Sequence, residues 1–420
     1  RPVREETIAI PYRTANGGTA TRTFTVYRTH HGPIVREADG KWIAVRLMER
    51  PIEALSQSWL RTKARDFRGF RQVMDLAANS SNNTIYADAD GTIAYFHPQF
   101  VPRRDDRFDW TRPVDGSDPA TEWKGVHRVE ETPFLRDPAT GWIQNTNNWP
   151  YSAAGRSSPR REAFPRYMDA EGENARGVHA LQVLDGKRGF TLQSLIEAAY
   201  DSWLPAFATE VPKLVAAWDA LPAADPLKAR LAEQIRLLRT WDHRWAVSSV
   251  PTSLAVFWGE ALGRRFTTAT PAERLQALAT ASDRLAADFG AWRTPWGEIN
   301  RFQRLTGDIV QPFSDAAPSI PVGFTSAQWG SLASFGARRY PGTKRMYGTS
   351  GNSFVAVVEF GKDSVRARAV SAGGESGDPR SPHFNDQAER YTTGNLRPVY
   401  FYPNQLVGHT ERTYRVTMQR

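Results

Sequence analysis

The chain has 420 residues, 40% of them hydrophobic, with 14 Trp, 13 Tyr and 21 Phe; that is ample for a large core and excludes global disorder. Cysteine is absent, which excludes disulfides, thiolate metal sites and a cysteine nucleophile within the chain but leaves the compartment open. The net charge of +9 is interspersed, as in Arg103-Arg104-Asp105-Asp106-Arg107; without a basic stripe, nucleic acid is not expected as a partner, and anionic partners or membrane headgroups are favoured.

No apolar run approaches the ~18 residues of a membrane span, and no charged-then-apolar signal segment opens the sequence. The chain therefore reads as soluble, not transmembrane, and already processed. Arg1 runs within a few residues into strand-like sequence, Glu5 to Ile10, as the middle of a longer protein would.

The first 45 residues predict strands: Thr19 to Thr29 alternates β-branched and aromatic with polar side chains, and His31-Gly32-Pro33 turns the chain into Ile34-Val35. Between 65 and 79 the period changes, because Phe67, Phe70, Val73, Met74 and Ala77 recur at three- and four-residue steps and predict an amphipathic helix. A hairpin follows, Thr84 to Asp88 and Thr92 to Phe96 around Ala89-Asp90-Gly91. Residues 98–140, rich in Pro, Asp, Arg and Trp, read as a long irregular excursion, and a strand over 141–146 brings the chain back. Helices are predicted over 191–203, 209–220, 226–240, 252–265 and 271–290. Strands resume from 345, at Ser353–Phe360, Ser364–Val370 and Arg412–Met418, with a Gly/Pro-punctuated loop over 372–387. Strands, helices and strands again predict an α+β fold whose two ends pair in one discontinuous sheet system.

The segment Trp142-Ile-Gln-Asn-Thr-Asn-Asn-Trp-Pro carries most of the chemical information, since it sets Asn145, Asn147 and Asn148 between aromatics and a proline. A carboxamide NH₂ is a neutral donor that needs no protonation, as stabilising a developing oxyanion requires. The plainer reading is a turn, because Asn bonds its own backbone and tolerates left-handed conformations. Elsewhere the motifs are negative. There is no His-x-x-x-His, no phosphate loop, no dinucleotide fingerprint and no Gly-x-Ser-x-Gly. His30-His31 beside a turn reads as structural, and His383 as a loop-locking hydrogen bond. Asp169, Glu171 and Glu173 supply charge for a helix N-terminus or, alternatively, ligands for a structural calcium. These residues offer an oxyanion donor and a nearby arginine, without a nucleophile and base.

Taken in order, several blocks carry a resemblance: Arg4-Glu-Glu-Thr-Ile, Phe24-Thr-Val-Tyr-Arg-Thr-His-His-Gly-Pro-Ile, Ile85-Tyr-Ala-Asp-Ala-Asp-Gly-Thr-Ile-Ala-Tyr, Trp123-Lys-Gly, Gly141 to Pro150, and Gly374-Glu-Ser-Gly-Asp-Pro-Arg-Ser-Pro-His-Phe-Asn-Asp-Gln. The set resembles the β subunit of the penicillin acylase family, N-terminal-nucleophile hydrolases that include acyl-homoserine lactone and cephalosporin acylases. The helical middle is not diagnostic.

The resemblance implies a four-layer αββα sandwich with a large helical insertion. Its parts would be 1–175, the β-rich core with the oxyanion-hole loop; 176–340, the helical insertion; and 341–420, strands completing the core. It implies an N-acyl amide hydrolase, periplasmic or secreted, needing no cofactor. Asn147 would supply the oxyanion-hole side chain, Arg176 would order the site, and Trp59 would line the acyl pocket or else be an ordinary core tryptophan. The family nucleophile is a Ser at the start of the β subunit with its own α-amine as base, and Arg1 matches a point well inside such a subunit. The nucleophile is therefore expected on a companion N-terminal β segment, alongside a companion α chain, with a small N-acyl molecule as substrate. Two other readings stand beside it: a non-catalytic homologue that binds an acyl ligand, and a surface-associated protein using its basic charge.

Overall fold

Alternation of β-branched and polar residues builds the first sheet, as a period of two requires. In the computed structural model, which describes residues 2–415, β1 (Arg4–Arg13) pairs antiparallel with β2 (Thr19–Thr29), setting Arg4 opposite Arg28 and Arg13 opposite Thr19. β3 (Gly32–Ala38) and β4 (Lys41–Ala44) complete the order β1-β2-β3-β4. Gly32 opens β3 after the His30-His31 turn, with φ at 132°, and a Cβ on it would stand 2.0 Å from the Val45 carbonyl oxygen. Every residue of β1 is exposed.

A helix that the sequence reading left out follows: α1 (Pro51–Leu60), with proline in its first turn, where the missing N–H costs nothing. The helix expected over 65–79 is α2 (Phe67–Met74), capped by the Asp66 carboxylate accepting from Gly69 N–H at 2.7 Å. It ends early because Ala77 takes a left-handed φ of 47°. The hairpin is present as β5 (Thr84–Ala87) and β6 (Ile93–Phe96), joined by β7 (Phe134–Arg136) from the end of the excursion. Phe67, Phe70, Val73 and Met74 pack on Tyr86, Ala94, Phe96 and Phe134 of this sheet, which is why the period of α2 was legible.

The strand expected over 141–146 is not formed. Gln144 N–H donates to the Ala153 carbonyl and its side chain to the Ser152 carbonyl, so the chain folds back on the turn that follows it. Asn side chains take up neighbouring backbone groups that a sheet would have needed.

Contacts divide the chain into two units. One runs to Asp88 and resumes from Thr92 to Gly172; the other holds Ala89–Gly91 and the chain from Glu173. The second unit opens with helices α3 (Ala175–Leu184), α4 (Leu192–Ala199), α5 (Pro205–Asp219), α6 (Pro226–Arg230), α7 (Ala232–Arg239), α8 (Val250–Leu262), α9 (Pro271–Phe289) and α10 (Trp296–Ile299). The segment expected as one helix over 226–240 breaks between α6 and α7 at Leu231, which is fully buried. α9 begins in a reciprocal Thr270–Glu273 capping box and ends at Gly290, whose φ is 84°. Leu214, Ile235, Leu254, Trp258, Leu278 and Leu285 form its core with Trp329.

The same unit holds β8 (Asn300–Phe302), β9 (Ile320–Pro321), β10 (Phe335–Arg338) and β11 (Met346–Gly351) in the order β10-β11-β8-β9, with β11 and β8 parallel. A second sheet has the order β12 (Phe354–Phe360), β13 (Val365–Ser371), β14 (Arg397–Val399), and α11 (Ala388–Thr393) precedes β14. The pairing expected between the chain's two ends is not made among the described residues: each sheet draws its strands from one unit. Of the strand expected over Arg412–Met418, residues 412–415 are irregular and the rest lie outside the described residues. The architecture is mixed helix and sheet, α+β. Among the described residues no helix is long and apolar enough to cross a membrane.

Candidate active site

Residues 144–153 form a loop stitched by its own amides. Asn148 is buried, accepts from Thr146 N–H at 3.0 Å and donates through Nδ2 to Ser152 Oγ at 3.0 Å. Asn145 accepts from Asn147 N–H at 3.2 Å through its side-chain oxygen. Trp149 N–H donates to the Gly172 carbonyl at 3.3 Å, and Pro150 starts a 3₁₀ turn, Pro150–Ser152, whose Tyr151 ring meets Trp149 edge-on at 5.7 Å. Between these anchors Asn147 is exposed, with φ at 59°. Asn adopts this left-handed conformation at little cost, and the bond from Asn147 N–H to the Asn145 side chain is the turn that the residue type predicts.

Arg176 sits in the first turn of α3, whose N-cap Asn174 accepts from Gly177 N–H at 2.9 Å. A cation there runs against the helix dipole, which favours negative charge at N-termini. It is half-buried, and burial pulls its guanidinium below the usual arginine range while leaving it charged. Glu173 lies just before the cap and accepts from Asn174 N–H at 2.9 Å, which gives the helix N-terminal charge reading a geometric footing. Asp169 is raised above the ordinary carboxyl value by burial, against the lowering effect of a 2.8 Å bond from Glu171 N–H. Asn147 belongs to the first unit and Arg176 to the second.

Trp59 is on α1 and is 64% exposed, so it is no core tryptophan in this chain; the Lys63 ammonium lies 4.4 Å from its ring centroid. His383 bonds Asp386 of its own loop at 2.9 Å and Glu411, beyond that loop, at 3.1 Å. Sequence reasoning missed two groups in the first unit. Tyr95 is fully buried, its hydroxyl raised by burial first and then by the Asp169 charge. His97 bonds the Met168 carbonyl at 3.0 Å, and burial brings its imidazole down from 6.5 to about 4. Separations of about seventy residues leave no local signal for either contact.

A model of the penicillin amidase family matches residues 1–407. A curated relative, penicillin G acylase of Escherichia coli, is 34% identical over 161 residues, which are 35% of this chain and 17% of that protein. The aligned part thus spans less than a fifth of the relative's length. A solved structure, thermostable penicillin G acylase from Alcaligenes faecalis in orthorhombic form, matches with a TM-score of 0.66 at 19% identity, over all of this chain and 82% of that one. At that identity the likeness concerns the fold. With the family model running across nearly the whole sequence, the chain belongs to the penicillin amidase family.

Proposed function

We propose that the protein hydrolyses an N-acyl amide and that Asn147 gives the oxyanion hole its side-chain donor. The observation that carries this reading is the exposed carboxamide at a left-handed position of a loop anchored on both sides by Asn145, Asn148 and Pro150. A donor acts in catalysis when it is aimed before charge develops, because reorganisation during the step would cost what the bond returns.

In this reading a Ser on a companion N-terminal β segment attacks the amide carbonyl. Its hydroxyl is a weak nucleophile, so the proton passes to the terminal amine as the bond forms. The tetrahedral oxyanion is shared between Asn147 Nδ2 and a backbone N–H of the companion. The C–N bond then breaks, the departing amine takes the proton, and water hydrolyses the acyl-enzyme. On the family pattern alone, Arg176 is the arginine that orders the site. The exposed Trp59 ring lines the acyl pocket. Family membership supports the reaction class; a penicillin, cephalosporin or acyl-homoserine lactone type of substrate fits equally. The fold likeness is compatible with a four-layer αββα sandwich, with 1–175 as the β-rich part of the core, 176–340 as a helical insertion and 341–420 as strands completing the core. A periplasmic or secreted location, a companion α chain and the absence of a cofactor, with calcium at most structural, rest on the family alone.

The test offers the full assembly phenylacetyl, aliphatic and glutaryl amides, with N-terminal sequencing of each polypeptide. Equimolar acid and amine from at least one substrate, with a free N-terminal Ser, supports the enzyme. Acyl-ligand binding without turnover of any of them would make the protein a non-catalytic homologue.

A further inference from the structure

We propose that His30, His31 and Glu122 bind a divalent transition cation of the zinc class. The two histidines fill the turn between β2 and β3, and Glu122 closes the 3₁₀ turn Pro119–Thr121 some ninety residues on. One ring nitrogen of each histidine and one carboxylate oxygen lie within 4.8 Å of one another, and the group is the single such cluster among the described residues. His30 Nε2 stands 2.7 Å from Glu122 Oε1, and the imidazole centroids are 3.8 Å apart. Two imidazoles and a carboxylate suit zinc-like cations, whereas calcium and magnesium prefer all-oxygen sets.

The surroundings add a second, independent observation. His31 Nε2 lies 2.8 Å from the Gly116 carbonyl, which can only accept, so that nitrogen donates and Nδ1 is the one left to ligate. Glu122 Oε2 accepts from Arg46 Nη1 at 2.9 Å, and that guanidinium rests over the Trp123 ring at 4.4 Å. A histidine that donates its other N–H to a carbonyl, and a carboxylate whose second oxygen is hydrogen-bonded, are the supports that metal ligands ordinarily carry. All three residues are partly accessible, so water would complete the coordination. The ion would clip the 98–140 excursion to the first sheet. Its competitor is a proton, which would turn His30 and Glu122 into a simple ion pair.

Calorimetric titration of the chelator-stripped protein with zinc at neutral pH tests this. The expected result is one site per chain that calcium does not fill, lost in His30→Ala and weakened at least ~10-fold in Glu122→Gln, with a zinc-dependent rise in Tm that is absent in the first variant and smaller in the second. Glu122→Gln keeps the shape of the side chain, so a folding defect is separable by circular dichroism. No zinc uptake, or uptake unchanged in Glu122→Gln, would overturn the assignment. Neither outcome depends on amide hydrolysis, so this site and the proposed activity stand or fall separately.

Discussion

At the scale of single residues, adjacent asparagines do opposite work. Asn148 is buried and spends both ends of its amide inside the loop, on Thr146 and Ser152. Asn148→Ala should therefore destabilise by about 1–3 kcal/mol, read as a lower urea midpoint, since Thr146 N–H would be left buried without its acceptor. Asn147 is instead exposed, on a left-handed backbone. The sequence exposed the cluster but not this division, because a turn preference and an oxyanion donor draw on the same residue type. Burial separates the two side chains: Asn148 is buried and Asn147 exposed.

At the scale of elements, α1 is turned inside out. Ile52, Leu55 and Trp59 are exposed, while Gln57 is buried, taking Ala78 N–H at 2.7 Å and giving to Gln99 Oε1 at 2.7 Å. Gln57→Ala would orphan both partners, and an unfolding free energy lower by about 1–3 kcal/mol is expected from chemical denaturation. In the second unit, α5 and α9 are bridged by the buried pair Glu210–Arg274 at 2.8 Å. Arg274→Met should cost at least about 2 kcal/mol, less than the ~3–5 of a fully orphaned charge because Lys213 still holds Glu210; the thermal midpoint measures it. Elements whose signals are local were legible: the Asp-Gly hairpin, the helix over 271–290 and the aromatic stripe of α2. Residues 141–146 were not, since side-chain bonds to nearby backbone decide their conformation and leave no periodic trace.

At the scale of the molecule, strands, helices and strands were read correctly as α+β, but the order of elements could not reveal that each sheet closes within one unit. Buried ionisable groups were equally hidden, and one of them sets a pH response. His97 titrates at about 4 in the fold against an ordinary 6.5, so it is neutral in both states above 6.5 and its full contribution is present there. As pH falls from 6.5 towards 4 the unfolded chain takes up a proton that the fold refuses, and stability drops by up to about 3 kcal/mol. Urea midpoints across that range should fall in the native protein and flatten in His97→Gln; parallel slopes would contradict the assignment. The central claim concerns turnover by the whole assembly. Asn147→Gly keeps the left-handed backbone without strain and removes only the carboxamide, so kcat should fall by ~10² or more with Tm unchanged. Turnover within a few-fold of the native protein would show that no oxyanion rests on Asn147.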